Sequence, residues 1–179
     1  MQKQILEKLL ATLIQLLALL QKRLDIEVKK KEFQVVEDKN EVIYQTARNL
    51  LGQKIRTVSR ELACADVLNN LYIRATGRPI GGTTSTLRMY NSLITDKRFT
   101  AVKPEDRKRG DIILSPTGNH LRTKVTEVSS GHCGILLDDD IIGSNNSLTG
   151  LLDDHWTFGK WLYYYHDTNG FQVTIWRLV

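Results

Sequence analysis

Residues 60–72, RELACADVLNNLY, and residues 129–137, SSGHCGILL, decide how this chain is read. The first has helical apolar spacing and carries Cys64 near its start, while the second has the apolar character of a strand. A thiol in the first turn of a helix feels the positive end of the helix dipole, which favours the nucleophilic thiolate. A histidine presented by a later strand can act as general base, and a polar side chain beyond it can orient the imidazole. Here the order is Cys64, His132, and then a polar cluster of Ser144, Asn145 and Asn146. Without those neighbours Cys64 would read as an ordinary core thiol, because free cysteine is among the most buried residue types.

Strand alternation separates the two residues at the centre of the second stretch. Neighbours on a strand point to opposite faces, so His132 and Cys133 cannot share one. If His132 faces the helix of Cys64, Cys133 lies on the reverse face with Ile135 and Leu137 and is a packing residue. The flanking Gly131 and Gly134 are expected to leave room beside the imidazole for a helix or a substrate. His120, His155 and His166 stand in loop-like or helix-edge surroundings and are expected to face solvent.

Working outward, EVIYQTARNLL (residues 41–51) and ELACADVLNNLYIRA (residues 61–75) have helical spacing, with Gly52 and Gly77 beyond their ends where left-handed caps are common. In the second helix Leu62, Val67, Leu71 and Tyr72 are expected in the core. GRPIGGTTST (residues 77–86) is a glycine-rich loop without the GK[ST] ending of a phosphate-binding loop, and STLRMYNSLI (residues 85–94) reads as a short helix. From residue 110 the character changes to short β-rich segments: DIILSP, KVTEV, HCGILL, DIIGSN and FQVTIWRLV. Asp138, Asp139 and Asp140 lie between two apolar runs and read as a hairpin turn rather than a metal site. Helices first and strands afterwards imply an α+β domain with an antiparallel sheet.

The chain's 179 residues suit one domain, residues 40–179, with a small appendage. Residues 1–24 carry leucines at 6, 10, 13, 17, 20 and 24, the alternating four-and-three spacing of a coiled-coil seam. Ile5, Leu9, Ile14 and Leu16 widen that stripe. Self-association or docking is the expected role, with a membrane-surface helix or an atypical export signal as the alternatives. Glu7 and Gln15 interrupt the apolar run and no small-x-small cleavage site follows, so no clear cleavable signal peptide is read. Residues 25–39 are charged and read as a linker. The formal net charge is +5, which favours polyanionic partners. The basic residues are dispersed and lack aromatic interleaving, so nucleic acid is an unlikely partner. Two cysteines make no disulfide framework, and no Cys/His spacing suggests zinc.

Three stretches together resemble the NlpC-type and CHAP-type cell-wall cysteine peptidases and amidases, bacterial or phage-borne. They are the Cys64 helix, RKRGDIILSPTG (residues 107–118) with its "GD" entry into a strand, and GHCGILLDDDIIGSNNS (residues 131–147) with its "GHxGI" strand. The tail WTFGKWLYYYHDTNGFQVTIWRLV (residues 156–179) is similar to the end of such members. The resemblance implies a papain-like domain of helices on an antiparallel sheet, with no metal or organic cofactor. It implies a peptidoglycan hydrolase that cleaves an amide bond through a thioester, acting outside the cell or facing the wall. Carried over, Cys64 is the nucleophile, His132 the base and Asn145 the expected third residue, with Ser144 and Asn146 as alternatives. Trp161 and Tyr163 are expected to bind substrate. The usual "DCSG" around the nucleophile is here Ala63-Cys64-Ala65-Asp66. That departure leaves a non-catalytic structural or wall-binding module of the same fold as the alternative reading.

Overall fold

The computed structural model describes residues 12–25, 38–55, 57, 63–81, 84–118 and 130–179. The chain divides into two units, Met1–Asp38 and Lys39–Val179. In the first unit, residues 12–25 form helix α1, on which Leu13, Leu16, Leu17, Leu20 and Leu24 are all exposed. No described helix is long and apolar enough to cross a membrane. Residues 1–11, with Leu6 and Leu10 of the expected seam, and most of the expected linker lie outside the described residues.

The second unit begins with three helices, α2 (Lys39–Leu50), α3 (Ala63–Thr76) and α4 (Thr86–Thr95). They fall where amphipathic spacing predicts them. Gly52 and Gly77 have φ of 73° and 74°, left-handed values that a side chain would oppose, and Gly77 N–H closes α3 on the Ile73 carbonyl at 2.8 Å. Ser85 caps α4 by accepting from Arg88 N–H. Val67, Leu71 and Tyr72 are buried as expected. Leu62 lies outside the described residues.

Six antiparallel strands follow: β1 (Phe99–Val102), β2 (Ile112–Ser115), β3 (His132–Leu136), β4 (Ile141–Asn145), β5 (Leu152–Thr157) and β6 (Thr174–Leu178). Their order across the sheet is β1-β6-β2-β3-β4-β5. The unit is therefore α+β. Asp138–Asp140 form the exposed β3–β4 turn, closed by Leu137 N–H donating to the Ile141 carbonyl. Strands β1 and β5 were not expected, and both are sheet edges. An edge strand needs no continuous apolar pattern, and β5 carries Asp153, Asp154 and His155 in its middle. The expected strand KVTEV lies outside the described residues. Between β5 and β6 the chain makes a further helical segment, α5 (Phe158–Trp161) continuing into a π-helix over Leu162–Thr168.

The sheet has a core on each face. Ile112, Leu114, Cys133, Ile135 and Leu137 pack with α2, α3 and α4, whereas Ile113, Leu136 and Ile142 pack with Phe158, Trp161, Tyr165 and Phe171. Alternation along β2 and β3 thus feeds two layers at once.

The "GD" dipeptide ties helix α2 to the sheet. Asp111 is wholly buried and its carboxylate accepts from Asn40 Nδ2 (2.7 Å), Lys108 N–H (2.8 Å), Arg177 Nε (2.8 Å) and Arg177 Nη2 (2.7 Å). It joins α2, the turn before β2 and strand β6 in one charge-assisted cluster. Gly110 stands at φ 85°, where a Cβ would lie 2.2 Å from the Asn40 carbonyl oxygen. The motif is a structural clamp.

Candidate active site

Cys64 is the second residue of α3 and is half-buried, packed against the helix-side core. The core it packs against contains Cys133, and the Cys133 thiol, the His132 imidazole and the Ala65 N–H all favour its thiolate. These hold the Cys64 thiol well below its ordinary value. The Cys133 contact is the largest influence; burial opposes it, and the hydrogen bond and charge of His132 add to the lowering. Cys133 moves the other way: burial, and then the Cys64 sulfur beside it, push it up. One thiol of the pair is set to ionise and the other to stay protonated.

The face assignment differs from the conditional expectation. Cys133, not His132, points to the α3 layer, and His132 belongs with Gly134 and Leu136 on the aromatic side. Alternation holds, yet both residues, which open β3, lower the Cys64 thiol. His132 stacks on the Trp161 indole, with centroids 5.3 Å apart and planes 19° apart, and on Tyr165 at 6.0 Å and 23°. Trp161 Nε1 donates to Ser115 Oγ at 2.9 Å, and Ser115 is the cross-strand partner of His132. The indole is therefore fixed by β2 and in turn backs the imidazole.

The two glycines beside His132 serve the strands rather than a ligand. A Cβ on Gly131 would lie 2.2 Å from the Ser115 carbonyl oxygen and 2.3 Å from Thr117 N, and one on Gly134 would lie 2.8 Å from the Gly143 carbonyl oxygen. Gly131 N–H also donates to Thr117 Oγ1, which contacts Thr86 Oγ1 at 3.0 Å at the start of α4. The approach to His132 is thereby anchored to β2 and α4.

The three residues considered for the third position go to three different places. Gly134 pairs with Ser144, so Ser144 shares the face of His132, and its Oγ is buried without a hydrogen-bond partner among the described residues. Asn145, the expected residue, is the next along β4 and so turns to the Cys133 face. Its Oδ1 is buried there and has no hydrogen-bond partner among the described residues. The register, which sequence cannot fix to one residue, moves its carboxamide away from the imidazole side. Asn146 is engaged elsewhere: Nδ2 donates to Asp153 at 2.7 Å and Oδ1 accepts from Leu148 N–H at 2.9 Å.

The two aromatics expected to meet substrate also separate. Trp161 is 0% exposed and presents no surface to a polymer, so its place is behind His132 rather than in a cleft wall. Tyr163 is 68% exposed. Tyr165, one of three consecutive tyrosines with no local signal to set it apart, is the tyrosine that stacks on the imidazole. Burial and the negative charge at Cys64 push its phenol up, so it stays neutral. His155 and His166 are exposed beside Asp153 and Asp167, as expected, and His120 lies outside the described residues. A depression of about 540 Å³ lined by Tyr90, Val102, Phe158, Leu162, Val173 and Trp176 includes neither Cys64 nor His132. Among the described residues no group of three His, Cys, Asp or Glu side chains could hold a metal ion.

No family model matches the chain, and no curated protein matches it in sequence. Among solved structures it is similar to the wild-type endolysin LysIME-EF1, with a TM-score of 0.47 and 16% identity, over 77% of this chain. The matched region spans 63% of that endolysin, less than two thirds of its length.

Proposed function

We propose that this chain is a cysteine hydrolase that cleaves an amide bond in the stem peptide or cross-bridge of peptidoglycan. The observation that carries the reading is the lowered Cys64 thiol in the first turn of α3, held down in part by the His132 imidazole at the start of β3. The thiolate attacks the scissile carbonyl, and the oxyanion of the tetrahedral intermediate is met by backbone N–H groups at the start of α3. His132 gives its proton to the leaving amine, leaving a thioester on Cys64. His132 then takes a proton from water, whose oxygen attacks the thioester and frees the acid and the thiol. The stack on Trp161 and Tyr165 holds the imidazole in plane for both transfers, and Ser144 is the polar group on its face. No cofactor enters this scheme.

The substrate class follows from the resemblance of the GHxGI and GD stretches, and the net charge of +5 suits an anionic wall polymer. In this reading the protein works on the wall side of the membrane. The test is digestion of purified sacculi by wild type and by Cys64→Ser, with mass spectrometry of the released muropeptides. Wild type is expected to release fragments whose new termini identify the bond, and Cys64→Ser to release none while keeping the wild-type circular dichroism spectrum. Equal release by both proteins overturns the role of Cys64, and no release by wild type overturns the hydrolase and leaves a non-catalytic wall module.

A further inference from the structure

The chain contains two cysteines, both unbridged, and the fold brings them together from residues 64 and 133. One sulfur is half-buried at the head of α3, and the other is 1% exposed on β3, directed at the same layer. Cys64 packs against the core cluster that holds Cys133, and each sulfur shifts the other's ionisation, Cys64 downward and Cys133 upward. Of the two sulfurs, Cys64 is the one on a residue with surface open to an oxidant or a soluble thiol, while Cys133 is enclosed in the core. The scheme for the amide hydrolase gives Cys133 no bond to make or break.

We propose that Cys64 and Cys133 form a reversible redox pair, in which Cys133 resolves the sulfenic acid that a peroxide makes at Cys64. In the first step the Cys64 thiolate attacks one peroxide oxygen, the O–O bond breaks, and Cys64 becomes a sulfenic acid as hydroxide departs. In the second the Cys133 sulfur attacks the Cys64 sulfur, the S–O bond breaks, and the hydroxyl leaves with the Cys133 proton as water. Sulfur is oxidised and peroxide reduced, with two electrons passing from the pair. A small dithiol returns both cysteines to thiols by attacking the bridge at Cys64, the sulfur it can reach.

Cys133 is suited to the second step by its environment. The negative sulfur of Cys64 is one of the influences that keep Cys133 protonated, and conversion to a neutral sulfenic acid removes that influence when the attack is due. The bridge would shut off the nucleophile while sparing it the irreversible sulfinic acid. This inference rests on the proposed reactivity of Cys64 and not on the identity of its substrate.

The full-length protein would be treated with hydrogen peroxide, digested without reductant and analysed for linked peptides by mass spectrometry. A second aliquot would be treated with dithiothreitol and labelled at Cys64 with iodoacetamide. Wild type is expected to yield a Cys64–Cys133 linked pair and to regain its labelling. Cys133→Ala is expected to yield Cys64 sulfinic acid and to regain none. Wild type that accumulates Cys64 sulfinic acid while Cys133 stays a free thiol overturns the proposal, and this outcome is decisive even if Cys133→Ala fails to fold. Neither readout uses sacculi, so a protein that forms the bridge but digests no wall loses the hydrolase reading alone.

Discussion

Replacing Asp111 by Asn tests whether the "GD" motif is a structural clamp. The carboxylate is 0% exposed and each oxygen accepts two donors: Oδ1 from Asn40 Nδ2 and Arg177 Nε, Oδ2 from Lys108 N–H and Arg177 Nη2. A carboxamide has nearly the same shape but one oxygen, so its NH₂ must confront two N–H donors whichever way it turns. It also leaves the Arg177 guanidinium without its counter-ion. Removing one partner of a buried pair costs about 3–5 kcal/mol, and Arg177, whose side chain is 24% exposed, keeps enough contact with water to place the loss near about 3 kcal/mol. For a unit of this size that lowers Tm by about 10 °C. The assay is urea and thermal unfolding of the full chain followed by far-UV circular dichroism. The Glu41–Arg109 pair, bridged at 2.8 Å but well exposed, is the contrast: Arg109→Ala should cost less than about 1 kcal/mol. A loss below about 1 kcal/mol for Asp111→Asn would refute the clamp.

Two further outcomes bear on the site. Alkylation by iodoacetamide follows the thiolate, so Cys64 should react with a midpoint well below about 8.5; Cys133→Ala removes its largest lowering influence and His132→Ala the next, so both should move the midpoint upward, and an unmoved midpoint in Cys133→Ala contradicts the thiol–thiol contact. Trp161→Phe keeps a ring behind His132 but strands the buried Ser115 hydroxyl, which should cost about 1–3 kcal/mol in urea unfolding. Adding Ser115→Ala to that variant should cost little more, and full additivity would show that the indole–hydroxyl bond contributes nothing.

The amino-acid sequence by itself determined the helices α2, α3 and α4 and the strands β2, β3, β4 and β6, because amphipathic period and turn residues are local signals. It also singled out Cys64 and His132, since a thiol at a helix start and a histidine at a strand start stand out by type and order. It did not reveal β1 and β5: edge strands are half solvated, and their pairing is decided by the strands beside them. Alternation required His132 and Cys133 to face apart but left open which of them meets α3. That was settled when the aromatic segment Phe158–Thr168 packed on the opposite face of the sheet, with Trp161 and Tyr165 against the imidazole. The same register sorted Ser144 from Asn145, a choice that a slip of one residue would reverse. Asp111 shows the limit most plainly. As part of a dipeptide it looks like a strand entry, and only the tertiary structure brings Asn40 and Arg177, 71 and 66 residues away, onto one buried carboxylate.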